Sequence, residues 1–179
     1  MELQQVIETR RSIRKYDGSK KVTEEQVREL IEAADYAPSW KNSQTARYYC
    51  VVSEEMFEKV RTECLPPFNQ NNAAGAGALI VTTFVKNRAG FNPTGEPTNE
   101  LGNMWGAYDL GLANENLVLK ATEMGLGTLI MGIRDEKKLY EMLEIPEEEC
   151  VVSVIAVGYP NIDPQMPPRK PVDERAVFF

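Results

Sequence analysis

The 179-residue chain is 42% hydrophobic, carries 27 Asp and Glu against 20 Lys and Arg, and contains no histidine. That suits one globular domain, residues 1–179, with room for a sizeable core. A net charge of −7 argues against wholesale binding to nucleic acid or to an anionic membrane. Without histidine there is no Ser-His-Asp or Cys-His nucleophile system and no histidine metal site. Chemistry must rest on carboxylates, thiols or a bound cofactor.

The charge is unevenly spread. Residues 1–21 hold six cations (Arg10, Arg11, Arg14, Lys15, Lys20, Lys21) against three acids, so an anion would meet this stretch first. Cys50, Cys64 and Cys150 are odd in number and lack a C-x-x-C spacing, which reads as free thiols in a reducing compartment. No apolar run approaches 18 residues, and the expectation is a soluble, cytoplasmic chain.

Leu3, Val6, Ile7 and Arg10 fall at i, i+3, i+4 and i+7, predicting a first helix whose apolar stripe ends on Arg10. Asp17-Gly18 marks a turn, and Thr23 with Gln26 forms a capping box for a second helix with Val27, Leu30, Ile31 and Ala34 inward. Pro38 ends it. Residues 39–45 form a polar loop, Arg47–Val52 a strand, and Glu54–Cys64 a helix with Met56, Phe57 and Val60 inward. Pro66–Gly77 reads as irregular. Ala78–Val85 is the continuously apolar run of a central strand. Lys86–Asn103 reads as a long mobile loop.

Met104–Met124 has the longest helical pattern, with small residues Gly106, Ala107, Gly111 and Ala113 that would admit another helix, and Gly125 as its cap. Leu129–Ile133 and Val151–Val157 are strands flanking a helix capped by Asp135. The tail, 160–179, is proline-rich with an Ala-Val-Phe-Phe end, and is expected to lie on another surface such as a second subunit. Alternating strands and helices fit a three-layer α/β or α+β sandwich around one sheet.

Two glycine clusters, Gly75-Ala-Gly77 and Gly125-Leu-Gly127, precede strands instead of following them, and neither is G-x-G-x-x-G. A Rossmann turn needs the reverse order, so that pyrophosphate meets a helix N-terminus. Arg10-Arg11-Ser12-Ile13-Arg14 is more specific: three guanidiniums and a hydroxyl in five residues can clamp an oxyanion. Cations complementing a helix C-terminus would explain one or two of them, not their continuation past Ser12. Pro38–Gln44 is dense in amides and hydroxyls that can pair with a heterocycle or a polyol.

Four segments in order carry a family resemblance: Arg-Arg-Ser-Ile-Arg-Lys-Tyr-Asp (10–17), Ala-Pro-Ser-Trp-Lys-Asn-Ser-Gln (37–44), Gly-Leu-Gly-Thr-Leu-Ile-Met-Gly (125–132) and Pro-Arg-Lys-Pro (168–171). They resemble the signatures of the FMN-dependent nitroreductase family. The resemblance implies an α+β three-layer sandwich with a central, mainly antiparallel sheet between helices, and an intertwined homodimer with FMN at the subunit interface. By that pattern Arg10, Arg11 and Ser12 hold the phosphate and ribityl end, and Arg14 sits by the pyrimidine. Ser39, Asn42 and Gln44 line the flavin from the partner, Gly132 approaches N5, and Arg169 or Lys170 closes over the phosphate.

The implied activity is hydride transfer from NADH or NADPH, through flavin N5, to a small-molecule acceptor such as a nitroaromatic or quinone, by a ping-pong mechanism. A redox sensor or flavin store without turnover, and dehalogenation or flavin cleavage on the same fold, are the alternatives. An interaction module that binds an acidic partner through Arg10–Arg14 is a third. Two departures stand out. Thr45 and Ala46 occupy positions where the family often has Pro and an aromatic. Phe68–Asn72 lacks the lysine that many members place there. Trp40, Phe91 and Trp105 are candidate stacking residues, or ordinary core aromatics.

Overall fold

The computed structural model describes residues 2–179. Four strands, β1 (Ala46–Val51), β2 (Ala78–Val85), β3 (Gly127–Met131) and β4 (Glu149–Gly158), form one sheet in the order β1-β2-β4-β3. Every neighbouring pair is antiparallel. Six helices flank it: α1 (Leu3–Thr9), α2 (Glu24–Asp35), α3 (Glu54–Cys64), α4 (Pro67–Ala73), α5 (Met104–Glu123) and α6 (Glu136–Met142). The α+β sandwich with a mainly antiparallel sheet is therefore the fold.

β2 and β4 explain the three layers. Leu79, Ile80, Val81, Val154, Ile155, Ala156 and Val157 are all fully buried, so both sheet faces need a covering layer. On one face Phe57, Val60 and Cys64 of α3 and Leu139 of α6 pack with Leu79, Val81 and Val154. On the other, Val27, Leu30 and Ala34 of α2 meet Leu117, Val118 and Ala121 of α5 over Ile80 and Ile155. Each fully buried Leu or Ile contributes about 1.5–3 kcal/mol relative to exposure.

The ends of these helices follow their sequence signals. Thr23 Oγ1 accepts from the Gln26 amide at 3.2 Å, and Gln26 Oε1 accepts from the Thr23 amide at 3.0 Å, which completes the capping box. Gly125 adopts φ +74° beyond α5, and the Leu126 amide reaches back to the Ala121 carbonyl at 2.8 Å. That closes a Schellman motif that only glycine enters freely.

Four expectations change. α1 ends at Thr9, with Val6 buried but Leu3 and Ile7 exposed, so Arg10 is the residue after the helix and not the end of a buried stripe. Val6 is covered where α1 meets α5, while Leu3 and Ile7 find no cover within one chain. Residues 67–73 are helical because Pro67 opens the turn at a position that needs no amide donor. Lys86–Asn103 is tied down: Asn92 anchors a turn with Thr94 and Glu96, Asn87 and Asn103 exchange hydrogen bonds, and Phe91 bridges Pro97. The small residues of α5 divide, because Gly106 and Ala113 face the sheet while Gly111 stands open.

Gly106 shows how close α5 lies to β2. A methyl group there would fall 2.3 Å from Cδ2 of Phe84. Gly106→Ala should therefore lower stability by about 1–3 kcal/mol, although alanine is the better helix former. Most of that loss should vanish in a Phe84→Leu background. Urea melts of the two single variants and the double variant measure the coupling, and simple additivity would rule out the contact.

A buried carboxylate ties β1 to β4. Glu149 Oε2 accepts from Tyr49 Oη at 3.0 Å and from Thr83 Oγ1. Burial, and then the bond to Glu149, push the Tyr49 phenol up to about 12. The neutral phenol is thus favoured in the folded chain. Its contribution is complete below the ordinary tyrosine range near pH 10 and is lost as pH rises from there toward about 12. Tyr49→Phe should flatten the fall in stability across that window, as read by denaturant midpoints.

Candidate functional site

Residues 10–14 reach the sheet at its β3 edge. The Ile13 amide donates to the Thr128 carbonyl at 2.9 Å, and Ser12 forms a parallel bridge with Thr128. Gly127 permits this approach, since a Cβ there would lie 2.5 Å from Cγ1 of Ile13. Ile13 and Tyr16 turn into the core, and the residues between and before them stay outside. Arg10, Arg11 and Ser12 are half-buried, and Arg14 is exposed. Arg11 bends back, its Nη1 donating to the carbonyls of Glu8 at 2.6 Å and Arg10 at 2.8 Å, and so closes the C-terminal end of α1.

None of Arg10, Arg11 and Arg14 pairs with a carboxylate among the described residues. Most Lys and Arg of the chain are likewise outside an ion pair among the described residues, so what marks this stretch is the concentration of three guanidiniums in five residues. Arg14 makes one long hydrogen bond, at 3.3 Å to the Ser12 carbonyl, and Arg10 makes none from its side chain. Their remaining N–H groups have no protein acceptor among the described residues.

At the far end of β3, Gly132 is open: a Cβ there would meet nothing within 4 Å. Two side chains hold the backbone around it. Arg134 Nη1 donates to the Gly132 carbonyl at 3.2 Å, and Asn69 Nδ2 donates to the Ile133 carbonyl at 2.9 Å. Asn69 is buried and comes from α4, the segment that lacks the lysine. Sequence reading missed both residues as site-shaping groups. The signal for Arg134 was its place two residues after Gly132; Asn69 gave none beyond the amide-rich run.

The polar loop after α2 sits elsewhere. A single 3-10 turn, Trp40–Asn42, leads into β1, and Lys41 (φ +47°), Asn42 (φ +55°) and Gln44 (φ +48°) are all left-handed. Each such residue other than glycine costs on the order of 1 kcal/mol or more, so the surroundings must hold the loop. Ser39 Oγ accepts from the Gln44 amide at 3.1 Å, and Asp109 Oδ2 on α5 accepts from the Trp40 amide at 2.8 Å. The Trp40 ring lies 4.7 Å from that of Trp105, which stands 5.6 Å from Tyr108. The side-chain amides of Asn42 and Gln44 are exposed and make no hydrogen bond among the described residues. Trp40 Nε1, Ser43 Oγ and Thr45 Oγ1 are buried without partners among the described residues. Such orphaned groups are costly unless something outside the chain completes them.

One chain does not bring these two groups together. The loop joins β1, and Arg10–Arg14 with Gly132 follow β3, three strand spacings or about 14 Å away. Thr45 lies level with Val85 of β2, and Thr128 with Val157, which pairs Ala78; this adds about 23 Å along the sheet between the loop and Ser12. Arg169 and Lys170 lie on an exposed tail and form no hydrogen bond or ion pair with either group among the described residues.

The model of the Nitroreductase family matches residues 7–159. The chain belongs to the nitroreductase family. A relative from Archaeoglobus fulgidus, named for NADH dehydrogenase or NAD(P)H nitroreductase activity, is 32% identical over 160 residues, which cover 87% of this chain and 84% of that one. The NADPH-flavin oxidoreductase of Vibrio harveyi is 31% identical across 90% of this chain and 67% of its own. A protein from Exiguobacterium sibiricum 255-15, solved in complex with FMN, superposes with a TM-score of 0.87 over 100% of this chain and 98% of its own, at 22% identity. At that identity the likeness is one of fold. No helix among the described residues is long and apolar enough to cross a membrane.

The strain in the loop is testable by itself. Lys41→Gly should raise stability by about 0.5–1 kcal/mol, since glycine enters the left-handed region without penalty, and Lys41→Val should lower it by more than that. Guanidinium denaturation midpoints decide it. A glycine variant less stable than the parent would show that Lys41 is not held left-handed.

Proposed function

We propose that this nitroreductase-family chain is an FMN-dependent NAD(P)H oxidoreductase that works as a homodimer. One observation carries the reading: three guanidiniums without carboxylate partners and an open glycine backbone follow one edge strand, at its two ends. That set fits a ligand with a phosphate at one end and a flat heterocycle at the other. Arg10 and Ser12 would take the phosphate and ribityl end, with Arg11 as the brace of the α1 terminus. Arg14 would stand by the pyrimidine edge, and the Gly132 backbone by the reactive edge of the ring.

FMN supplies reversible hydride transfer; no side-chain base is required, and the absence of histidine is no obstacle. The chain's part is to bind, orient and exclude water. Ser39, Asn42 and Gln44 are too distant to serve the β3 site of their own chain, which supports their contribution from a partner. Apolar groups bare in one chain support the same assembly: Leu3 and Ile7 of α1, Met104 and Tyr108 of α5, Ile130 and Ile133 beside Gly132. So does the tail, whose Val177, Phe178 and Phe179 are exposed. Arg169 and Lys170 would close over the phosphate once that tail is docked. NADH or NADPH as donor, and a nitroaromatic or quinone as acceptor used in turn at the same place, complete the proposal.

Titration of apoprotein with FMN tests it. Arg10→Ala should weaken binding by roughly 1.5–3 kcal/mol, about ten- to a hundredfold, because a charge-assisted contact to phosphate is lost. Arg14→Ala should cost less affinity and lower the flavin potential, read by potentiometry. An Arg10→Ala variant that binds FMN as tightly as the parent would overturn the clamp. A stable, flavin-loaded monomer in light scattering would overturn the shared site, and crossing lines in initial-rate plots would overturn alternation of donor and acceptor.

A further inference from the structure

Asp109 has so far appeared only as the acceptor of the Trp40 amide. It lies in the second turn of α5, is buried, and forms no ion pair among the described residues. Burial raises its pKa, and the bond from the Trp40 amide lowers it only in part. An apolar residue would be the ordinary occupant of such a position, where a carboxylate gains one hydrogen bond and loses its hydration. Its neighbours Leu110 and Ala113 are ordinary core residues.

The one bond it makes falls at a decisive point. Trp40 opens the turn in which three of the next four residues are left-handed, and its amide is the group that Asp109 Oδ2 holds at 2.8 Å. Downstream, the Asn42 amide reaches the Ser39 carbonyl at 3.0 Å, the Ser43 amide the Trp40 carbonyl at 2.8 Å, and the Gln44 amide Ser39 Oγ at 3.1 Å. These contacts are internal to the loop and travel with it. Asp109 and the Trp105 ring are what fix its start to α5, the most buried helix of the fold. Between β1 and α5 the same carboxylate borders a small cavity of about 50 Å³, lined also by Ser39, Gln44, Thr45 and Tyr48. The loop therefore does not rest on close-packed side chains there.

We infer that Asp109 is the positioning residue of the loop: it anchors the Trp40 amide and thereby sets the left-handed turn that turns Ser39, Asn42 and Gln44 toward the cofactor of the partner chain. This rests on the flavin reading above. The acceptor oxygen, at its distance from α5, is what matters; the negative charge is incidental. Asparagine keeps that oxygen in place, glutamate keeps the charge but carries it one methylene further, and alanine or leucine removes the acceptor.

The test compares FMN binding to apoprotein dimers of Asp109→Asn, Asp109→Glu, Asp109→Ala and Asp109→Leu with the parent, by quenching of flavin fluorescence. Visible circular dichroism of the bound flavin and far-ultraviolet circular dichroism of the apoproteins accompany it. Alanine and leucine should weaken FMN by about tenfold or more and alter the flavin dichroism, with the far-ultraviolet spectrum unchanged. Asparagine should stay within about threefold of the parent with its flavin dichroism intact, and glutamate should behave as alanine does. A merely structural role moves melting temperature and leaves FMN affinity and flavin dichroism alone. Parental affinity in the alanine and leucine variants would overturn the inference. So would an asparagine variant as weak as glutamate, a comparison that remains decisive where alanine and leucine fail to fold. A parent that takes up no FMN would instead sink the flavin reading, and this one with it.

Discussion

A four-stranded sheet has two edges, and the two halves of the candidate cofactor site lie on different ones. Along β3 run the three arginines and the open backbone of Gly132; beside β1 sits the amide-rich loop. β2 and β4 lie between them, buried on both faces and closed to any ligand. A flat cofactor on the β3 edge cannot reach over two filled strands and their helical layers. Under the proposed function a second chain supplies the loop, and that reading agrees with the apolar surface left bare at α1, along the outer side of α5 and on the tail.

Each half is held by a different means. The β3 half is braced from below: Ile13 fills the space over Gly127, Arg134 and Asn69 tie down the carbonyls at the end of the strand, and Arg11 closes α1. These contacts spend backbone acceptors and core volume, leaving Arg10 and Arg14 uncommitted. The β1 half is held under strain, with three left-handed side-chain-bearing residues fixed by one buried carboxylate and a pair of tryptophans. Among the described residues, three of the five left-handed non-glycine residues fall in this one loop, the other two being Asn87 and Glu144.

The Arg10–Arg14 cluster shows how local legibility can mislead in detail. Its sequence points to an anion site, and the structure keeps Arg10 and Arg14 free of carboxylate partners among the described residues. Its derivation from a buried stripe on α1 fails, because Leu3 and Ile7 are exposed. Helical period records which residues share a face; it cannot record whether the covering surface belongs to the same chain. The small residues of α5 make the same point, since Gly106 serves the sheet and Gly111 faces outward on a single helix. In the loop 86–103 the turn at Asn92 is local, but the pair that closes it, Asn87 with Asn103, is sixteen residues apart and beyond the reach of a turn rule.

The sequence alone determined the element types apart from α4, the caps of α2 and α5, the central apolar strands and the ordered motifs of the nitroreductase family, because propensity, period and capping act within a few residues. Asn69, Arg134 and Asp109 could not be read there. Their importance comes from partners 64, 2 and 69 residues away, at Ile133, Gly132 and Trp40. For Asn69 and Asp109 only the folded chain brings donor and acceptor together; for Arg134 the spacing is local, but the turn after β3 decides which carbonyl it meets. The separation of the two half-sites is likewise a property of strand order. Nothing in a linear chain states that β4 will insert between β2 and β3, and it is that insertion that puts the arginines and the polar loop on opposite edges.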